Sequence, residues 1–500
     1  MSRYVNDKSG LCVAADEAML YLRLFAESRA ARQVRVAEAR PFAGPYPMDP
    51  ERSAWQNRLN HVLNRVLWKQ HHFNQRVISG AQDALLMPAD ERSVRPLLQV
   101  IVPNDVSENT TGGSARMWGL CGSLARHFRV ELISVTRWWR EPERRSILPG
   151  VDLLICSLRG EIDAAIKRAE RTVGPAGSFL TMGDPAHPLP MFDGYIRRTT
   201  SRAAGVLMVG PFLHARFRAQ APDVPMFCDM HDVYRDYVGR MAGAYKEPAL
   251  QRLDQLERRM LDDCAGIASV SDADAEAVGR LYPGARSKIH LVPNGVSTAN
   301  VFRSYPSESL ALAQGLGFRK PLILFMGSVL EANICAMTFI IQHLAPAVPA
   351  AQWAILGVSR EEHSRLAGSM ALPENVAFCG RVPETEKEAL FALAALAVAP
   401  MGDGTGSSLK IPDYLAHGKP VISTPIGLRG FDAIAPHVEV VSLDDMASAC
   451  SRLVAQLMAD PASLDARAEA AWRLVRDTLD WTVIGDRLMT MMKPHLRDVR

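Results

Sequence analysis

A glycine-rich turn followed by one lysine and one aspartate contains the residue types best suited to chemistry. Residues 402–413 read Gly-Asp-Gly-Thr-Gly-Ser-Ser-Leu-Lys-Ile-Pro-Asp, between a predicted strand at Ala394–Ala399 and a short helix that stops at Gly418. Glycines let the backbone approach a ligand closely, and serines at a helix start can cap the helix while its free N–H groups face the same ligand. Lys410 adds a full positive charge, and Asp413 follows on the same helical face. This order of residue types predicts a site for a nucleotide diphosphate.

The stretch also fits an ordinary strand–helix connection, with glycines for tight packing and a solvated lysine. The wider pattern favours a ligand site: Gly-x-Gly-x-x-x-Lys-x-x-Asp, and then Leu-Ala-x-Gly-x-Pro-Val, resembles the donor-binding motif of the family-4 glycosyltransferases. The resemblance is to the branch of that family with a Gly-x-Gly turn and a lysine, and it implies a GT-B fold of two facing Rossmann-like domains. Asp413 takes the place of the second glutamate of the family's Glu-x7-Glu motif, and Thr405 takes the place of the first. Aspartate is one methylene shorter than glutamate, and threonine carries no charge.

Length and composition limit the number of domains and the classes of partner that the protein can have. The chain has 500 residues, of which 48% are hydrophobic, and this length suggests about three domain-sized units with more than one core. Charged residues make up 22% and the formal net charge is +3. We therefore expect no general affinity for polyanions, and nucleic acid is a poor candidate partner.

Cysteine usage and hydropathy predict a cytoplasmic protein without a structural metal. The eight cysteines are scattered, with no Cys-x-x-Cys pair and no histidine cluster at ligand spacing. We expect them to be small buried residues in a reducing compartment. The N-terminus lacks the apolar core of a signal peptide, and the longest apolar run, residues 389–400, is too short to span a bilayer.

The chain divides near residue 95. Before it, residues 16–35 and 50–86 have apolar side chains at helical spacing and carry no motif, which predicts a helical extension that packs on the catalytic body or pairs two subunits. After it, the apolar run at residues 96–103 predicts a buried parallel strand. The alternation of strands and helices that follows is typical of a parallel α/β sheet. Further strand-like segments lie at residues 130–135, 151–157, 178–182 and 205–209.

Two features of this first half match the family. Gly112 and Gly113 follow the first strand, where the family's turn abuts the donor diphosphate and the reacting sugar. His231 follows another strand and resembles the family's strand-end histidine, which reaches the donor sugar in relatives. Such strand ends line the ligand crevice of open α/β sheets. A purely structural histidine is the alternative, and Asp229 and Asp232 could simply cap the next helix.

The segment from Arg137 to Arg145 is predicted to be a loop. It contains Trp138 and Trp139 among four arginines. Indole and guanidinium groups suit an anionic membrane surface, so we predict peripheral membrane contact at the inner face of the membrane. An acceptor site, or a surface loop whose tryptophans pack on the domain edge, are the alternatives.

The second half opens with a predicted strand at residues 321–328. The resemblance continues through residues 375–382, a strand and turn that frame the nucleotide base through backbone groups in relatives. Many relatives place an arginine and a lysine just after the first strand of this half, to hold the diphosphate. This chain has Ser328 and Glu331 nearby instead. The positive field must then come from Lys410 and the helix terminus, with Arg381 or Arg429 as additional candidates.

The resemblance implies a complete architecture. We expect an α/β protein of GT-B fold with parallel sheets, in which residues 1–95 are the helical extension and residues 96–300 the acceptor-side domain. Residues 301–480 are expected to bind the nucleotide-sugar, and residues 481–500 to form a helix that crosses back to the first domain.

The resemblance also implies an activity: transfer of a sugar from a nucleotide-diphospho-sugar to a glycan, lipid-linked or other acceptor. We expect a retaining reaction without metal or further cofactor, in which the departing phosphate helps to deprotonate the acceptor. His231 and Lys410 are the predicted catalytic residues. The residues predicted to bind the donor lie in the turns described above and are Gly112, Gly113, Ser328, Asn333, Gly357, Gly380, Arg381, Val382, Gly404, Thr405, Gly406, Ser407, Ser408, Leu409, Lys410 and Asp413.

Two other classes of function stay open. A GT-B fold can host nucleotide-sugar epimerisation, although the sequence shows no acid/base set for it. The absence of the first motif glutamate and of the arginine and lysine after the first strand could also mark a catalytically silent subunit, which binds a partner enzyme through residues 1–95.

Overall fold

The structure is a computed structural model. It describes residues 95–109, 111–136, 143–157, 161–235, 246–298, 302–318, 321–403 and 407–498. The predicted helical extension, apart from Arg95, lies outside these ranges. So do Trp138, Trp139 and the turn Gly404-Thr405-Gly406.

An eight-stranded sheet organises the first half of the described chain. Its strands are β1 (Leu97–Val102), β2 (Arg129–Thr136), β3 (Glu143–Leu148), β4 (Val151–Ser157), β5 (Ala203–Val209), β6 (Met226–Met230), β7 (Gly266–Ser269) and β8 (Ile289–Leu291). Their order across the sheet is β3-β4-β2-β1-β5-β6-β7-β8, and every neighbouring pair is parallel except β3 with β4. Every residue of β1 and β5 is buried, as expected for central parallel strands covered on both faces.

Helices cover both faces of this sheet. They are α1 (Gly112–Leu124), α2 (Glu161–Val173), α3 (Gly177–Met182), α4 (Pro190–Thr199), α5 (His214–Gln220), α6 (Lys246–Asp263) and α7 (Asp272–Leu281). Side chains alternate along β1, so Leu98 and Val100 join the core that contains Met117 of α1, while Ile101 joins a second core with Ile196 of α4. The alternation of strands and helices predicted from the sequence is confirmed here.

Two local predictions are wrong. Residues 178–182, predicted as a strand, lie in α3. A short apolar run does not distinguish a buried strand from a buried helix. The predicted loop from Arg137 to Arg145 includes the first residues of β3, an antiparallel edge strand, where Arg144 forms ion pairs with Glu131 (3.1 Å) and Asp152 (2.6 Å). Charged residues are typical of exposed strand edges.

A second, six-stranded sheet organises the other half. Its strands are β9 (Leu322–Met326), β10 (Gln352–Leu356), β11 (Val376–Gly380), β12 (Ala394–Ala399), β13 (Val421–Ser423) and β14 (Glu439–Val440). All neighbours in the order β11-β10-β9-β12-β13-β14 are parallel. The helices are α8 (Ser307–Gly315), α9 (Glu331–Phe339), which continues through a π turn at Ile340–Leu344 into Ala345–Ala347, α10 (Arg360–Ala367), α11 (Glu384–Leu393), α12 (Lys410–Ala416), α13 (Pro425–Leu428), α14 (Leu443–Ala459), α15 (Asp465–Leu479) and α16 (Trp481–Met492).

The last helix, α16, packs on α1 of the first half. The ring of Trp481 lies directly over Gly119, where a Cβ would be only 2.2 Å from the ring atom Cδ2. Glycine is therefore the residue that lets the two helices approach this closely. Arg126, two residues after the end of α1, reaches Asp486 of α16 at 2.6 Å. The chain thus returns to the first sheet at its end.

Most cysteines of the described ranges are buried, as expected, but two are not. Cys121, Cys156, Cys228, Cys264 and Cys450 are buried, whereas Cys335 on α9 is exposed and Cys379 is partly exposed. The expectation of uniformly buried cysteines is wrong for these two, because the apolar stripe of an amphipathic element does not extend to its outer face. Within the described residues, no helix combines the length and the apolar character needed to cross a membrane.

A carboxyl group buried under β6 makes stability depend on pH. Glu257 of α6 is fully buried and its Oε2 accepts a hydrogen bond from the hydroxyl of Tyr282 at 2.7 Å. Burial raises the pKa of Glu257 from 4.5 to about 7. Between those two values the folded state holds the proton more tightly than the unfolded state, so the free energy of unfolding falls as the pH rises through this window.

We expect Glu257→Gln to remove that dependence. At pH 8 the variant should be more stable than the wild type by about 1–3 kcal/mol, because no charge is buried, and the gain should shrink at pH 5. Urea unfolding at both pH values measures it. Glu276→Gln, at an exposed position of α7, is the control and should behave as wild type at both. If Glu257→Gln changes the free energy of unfolding equally at pH 5 and pH 8, Glu257 is not protonated near neutral pH.

Candidate active site

The carboxyl ends of the strands of both sheets meet at one cleft. Asn294, which follows β8, donates a hydrogen bond from Nδ2 to Oγ of Ser407, which follows β12, at 2.9 Å. Asp274 of α7 pairs with Arg429, which follows β13, at 2.7 Å. In open α/β sheets ligands bind at this edge. Two such edges joined by these contacts define the candidate site.

The Gly112-Gly113 turn lies on one wall of the cleft. Both glycines are exposed and are the first two residues of α1, which Thr111 caps in a reciprocal pair with Ser114. A Cβ on Gly112 would lie 3.3 Å from Cδ1 of Leu409 on the opposite wall, and Gly113 has open space beside it. The N-terminus of a thirteen-residue helix therefore opens beside the residue that precedes Lys410. Free N–H groups at such a terminus favour an anion.

Lys410 is the first residue of α12 and is partly buried rather than solvated. Its Nζ donates to Oδ1 of Asn333 at 2.8 Å, lies 3.3 Å from the sulfur of Met401, and sits 5.1 Å from the ring centre of Phe325. None of the ion pairs among the described residues involves this ammonium group. Burial lowers the pKa of Lys410 to about 7. The ammonium group of Lys410 is thus held in place by neutral side chains. Because no carboxylate neutralises it, a bound diphosphate would interact with its full charge.

Ser328 and Asn333 belong to the same cluster. Nδ2 of Asn333 donates to the backbone oxygen of Ser328 at 3.1 Å, so the turn after β9 fixes the amide whose oxygen holds Lys410. The predicted capping of α12 by Ser407 and Ser408 is wrong. Leu409 is the residue before the helix and makes no side-chain cap, while Ser407 accepts the hydrogen bond of Asn294.

Asp413 is paired inside the protein. Its Oδ2 lies 3.1 Å from Nζ of Lys387 on α11, and its Oδ1 lies 3.4 Å from Nδ1 of His417. Burial alone would raise the pKa of Asp413, but the Lys387 ammonium and the His417 ring hold it well below its usual value. The carboxylate stays ionised and about 20% exposed. It therefore keeps acceptor capacity for a ligand.

His231 lies at the end of a buried charged network. Its Nε2 is 2.8 Å from Oδ2 of Asp229, and the other carboxylate oxygen receives Nη2 of Arg116 at 2.6 Å. Arg116 is 1% exposed, and it also donates to the backbone oxygens of Val292 and Pro293 and to Oδ1 of Asn294. Burial alone would raise the pKa of Asp229, but Arg116 and His231 hold it well below its usual value. Asp229 is therefore an ionised partner of His231 rather than a helix cap.

Both halves of the chain match family models. Residues 111–300 match the model described as Glycosyltransferase Family 4, and residues 320–460 match the model described as Glycosyl transferases group 1, together about two thirds of the chain. The chain belongs to the family-4 glycosyltransferases. It is an enzyme of the nucleotide-sugar-dependent class, as the sequence motif predicted.

Solved structures show that this glycosyltransferase has the GT-B fold. Sucrose-phosphate synthase from Thermosynechococcus elongatus has a TM-score of 0.61 at 16% identity, over 80% of this chain and 99% of that one. HepE from Anabaena, solved with UDP and glucose, has a TM-score of 0.57 at 13% identity, over 79% and 99%. Trehalose 6-phosphate synthase from Burkholderia multivorans has a TM-score of 0.55 at 14% identity, over 80% and 97%. A search of curated proteins found no significant match.

Four further predicted donor residues of the glycosyltransferase lie at the ends of β10 and β11 and in the turns that follow. The N–H of Gly357 donates to the backbone oxygen of Gly380 at 2.7 Å, and both glycines have positive φ angles, 94° and 66°. Val382 is partly buried, whereas the side chain of Arg381 is 70% exposed and lies 3.5 Å from Glu362. Gly404, Thr405 and Gly406 lie outside the described residues.

Three residues of the site were missed in the sequence: Arg116, Asn294 and Lys387. Asn294 stands in a Pro-Asn-Gly turn at residues 293–295, and this local motif was a usable signal. Arg116 and Lys387 each find their carboxylate in a distant part of the chain, so no local pattern identifies them. Among the residues that the structure describes, no group of three or more His, Cys, Asp or Glu side chains is arranged to hold a metal ion.

Proposed function

We propose that this glycosyltransferase binds the nucleotide diphosphate of its donor between Lys410 and the N-terminus of α1, and transfers the sugar to an acceptor held by the first half of the chain. The observation that carries the proposal is Lys410, a partly buried ammonium group with no carboxylate partner among the described ion pairs, beside the open turn at Gly112. An unneutralised cation in a cleft is suited to an anionic ligand.

The chemistry follows from charge. As the glycosidic bond breaks, negative charge grows on the departing diphosphate, and an ammonium group with helix N–H groups already in place stabilises it. Lys410 and α1 supply these groups from opposite walls of the cleft. The proposal therefore assigns the diphosphate to protein cations and N–H groups, without a metal ion or a further cofactor.

His231 is proposed to orient the sugar. Because Asp229 is ionised, Nε2 of the histidine donates to it, and Nδ1 is the ring nitrogen left to contact a sugar hydroxyl. We propose a retaining reaction in which the departing phosphate takes the proton of the acceptor hydroxyl. The acceptor is proposed to be a glycan or a lipid-linked sugar.

The proposals on membrane contact and on pairing of two copies rest on the sequence alone. We propose a cytoplasmic enzyme, peripheral at the inner face of the membrane through the segment from Arg137 to Arg145, and pairing of two copies through residues 1–95. Unchanged binding to anionic liposomes in a variant with both Trp138 and Trp139 replaced by alanine would contradict the membrane contact.

Thermal unfolding with nucleoside diphosphates tests the donor site. Five similar structures have UDP in their descriptions, as a bound molecule, as part of a bound nucleotide-sugar or as a product, so UDP is tried first, beside GDP, ADP and dTDP. A ligand at 100 times its dissociation constant adds about 2.7 kcal/mol of stability, which raises the midpoint by several degrees, at about 2–4 °C per kcal/mol. We expect one nucleotide to shift the wild type.

Two variants make the test specific. Lys410→Ala should lose the shift, whereas Lys167→Ala, at an exposed position of α2, should keep it. If none of the nucleotides shifts the wild type, or if Lys410→Ala shifts equally, the proposed donor site is wrong.

A further inference from the structure

Asn294 connects the two walls of the cleft through both ends of its side-chain amide. Its Oδ1 accepts a hydrogen bond from Nη1 of Arg116 at 3.1 Å. Its Nδ2 donates to Oγ of Ser407 at 2.9 Å and to the backbone oxygen of Ser407 at 3.3 Å. The residue is only 7% exposed. Because both protons of Nδ2 are directed at Ser407, the amide joins two parts of the protein and is not a group that waits for a ligand.

Arg116 determines which way this amide faces. All five N–H groups of the guanidinium are engaged, with the carboxylate of Asp229, the backbone oxygens of Val292 and Pro293, and Oδ1 of Asn294. A guanidinium group cannot accept a hydrogen bond, so a rotated amide would place its NH₂ against Arg116 and lose its contacts on both sides. The arginine therefore makes Asn294 present its donor end to the opposite wall.

The same arginine holds the network of His231. Nε and Nη2 of Arg116 both contact the carboxylate of Asp229, and Oδ2 of that carboxylate lies 2.8 Å from Nε2 of His231. Arg116 is 1% exposed and Asp229 is fully buried. A contact through two nitrogens fixes the plane of a carboxylate as well as its distance. His231 and Asn294 therefore cannot move relative to each other without breaking buried charged contacts.

Ser407 is held from the other side as well. Gly430, in the turn after α13, has a φ of 84°, and a Cβ at this position would lie 2.5 Å from Cβ of Ser407. The turn therefore packs directly against the serine and leaves it no room to move away from Asn294. Lys410 begins α12 shortly after Ser407, so the place of the serine bears on the place of the lysine.

We propose that Asn294, oriented by Arg116, is a positioning residue that holds the turn at Ser407 in register with His231, so that sugar transfer depends on this amide more than nucleotide binding does. The inference rests on the proposed function, in which Lys410 acts on the diphosphate and His231 on the sugar. These two side chains come from opposite walls of the cleft. A path of direct contacts joins their surroundings, and it runs through Ser407, Asn294, Arg116, Asp229 and His231.

A double-mutant cycle in kcat tests the contact between Asn294 and Ser407. Asn294→Ala should lower kcat by about 10- to 100-fold, because a displacement of about 1 Å in positioned groups can cost that much. Ser407→Ala removes one acceptor and should lower kcat by about two- to tenfold. The double variant should be no slower than Asn294→Ala alone, because both changes break the same contact. Initial rates are measured with the nucleotide-sugar whose nucleotide shifts the wild type in thermal unfolding.

Nucleotide binding separates positioning from a loss of folding or of the donor site. Calorimetry with UDP, GDP, ADP or dTDP, whichever the wild type binds, should give dissociation constants within about threefold of the wild type for all three variants. Lys410 and the N-terminus of α1, the proposed diphosphate contacts, are unchanged in them. The matched control is Ser309→Ala, which loses one buried hydrogen bond to Glu388 (2.8 Å) outside the cleft. It should keep the wild-type kcat.

The His231→Ala background tests whether Asn294 acts through the histidine. If the amide sets the register of His231, Asn294→Ala should lower kcat by no more than about twofold once the histidine is absent. A role in stability alone would not produce this dependence. An undiminished effect of Asn294→Ala in that background shows that the amide does not act through His231, and contradicts the inference.

Two further results would overturn it while leaving the donor site in place. One is nucleotide binding with kcat within threefold of the wild type in Asn294→Ala, and the other is an equal effect of Ser407→Ala with and without Asn294. If Asn294→Ala does not fold, an unchanged kcat in Ser407→Ala contradicts the inference by itself. Failure of the proposed function is a different result, because then no nucleotide binds even the wild type.

Discussion

Replacing Lys410 with methionine lowers kcat/KM for the donor by about 10²–10³ at pH 7, the usual cost of one group that stabilises the leaving charge. Methionine has similar length and keeps the apolar contacts with Met401 and Phe325, so the loss of charge is isolated from a loss of packing. Initial rates with the nucleotide-sugar identified by thermal unfolding measure it. Turnover within a factor of three of the wild type would remove Lys410 from the mechanism.

The pH dependence gives an independent check on the same residue. The pKa of Lys410 in the free enzyme is lowered to about 7 by burial, so above pH 7 the free enzyme must take up a proton to present an ammonium group to the diphosphate. Nucleotide affinity should therefore fall by about tenfold per pH unit above 7, until the pKa of the complex is reached. Lys410→Met should show weak affinity and no such slope. Lys410→Arg, which stays charged, should bind equally at pH 7 and pH 9.

Stability should move in the opposite direction to activity in the methionine variant. Below pH 7 Lys410 is charged in both the folded and the unfolded state, and the folded state bears the full cost of burying the charge. Between pH 7 and 10.5 the unfolded state holds more protons, so the stability of the wild type rises with pH. Without nucleotide, Lys410→Met should therefore be more stable than the wild type at pH 7, and this advantage should narrow at pH 10.

Arg116→Met destabilises the protein by about 3–5 kcal/mol, because it leaves the fully buried and ionised Asp229 without its guanidinium partner and with His231 alone. The lost hydrogen bonds from Arg116 to the backbone oxygens of Val292 and Pro293 act in the same direction. At about 2–4 °C per kcal/mol, the unfolding midpoint should fall by about 6 °C or more. Chemical unfolding and calorimetry both measure the change.

A surface variant and a double variant test whether the unpaired charge of Asp229 causes the loss of stability. Arg473→Met removes an exposed pair with Glu469 and should cost about 0.5 kcal/mol or less. Adding Asp229→Asn to Arg116→Met removes the unpaired charge and should recover part of the stability. Activity should not return in the double variant, because His231 no longer has an ionised partner. If Arg116→Met unfolds at the same temperature as the wild type, the network is not the buried ion pair described above.

The fold was predictable because its signals are local. Parallel strands buried on both faces are nearly continuous apolar runs, as in β1, which is interrupted only by Gln99, and in β12, and each is followed by turn residues and a helix. The donor motif was found because Lys410 and Asp413 lie three residues apart in one short segment. The error at residues 178–182 has the same origin, since the five residues Ser-Phe-Leu-Thr-Met are all that the local signal offers there.

The rest of the site depends on contacts between distant segments. Lys387 meets Asp413 only because α11 packs beside α12, and Arg116 meets Asp229 only because α1 lies over the end of β6. Neither partner can be inferred from spacing. The protonation of Lys410 also depends on its surroundings, since Phe325 and Met401 remove water from a side chain that the sequence describes only as a lysine.

The chain passes between the two sheets twice, and the two passages lie side by side. The N–H of Val296, on the first passage, donates to the backbone oxygen of Leu479 at 2.9 Å, and the N–H of Trp481, on the second, donates to the backbone oxygen of Val296 at 3.1 Å. Two adjacent segments joined by an isolated bridge are suited to act as a hinge: rotation about their common line keeps these bonds, whereas sliding would break them. Cleft opening should therefore be a rotation that separates Asn294 from Ser407 and Asp274 from Arg429, and leaves the Val296 contacts intact.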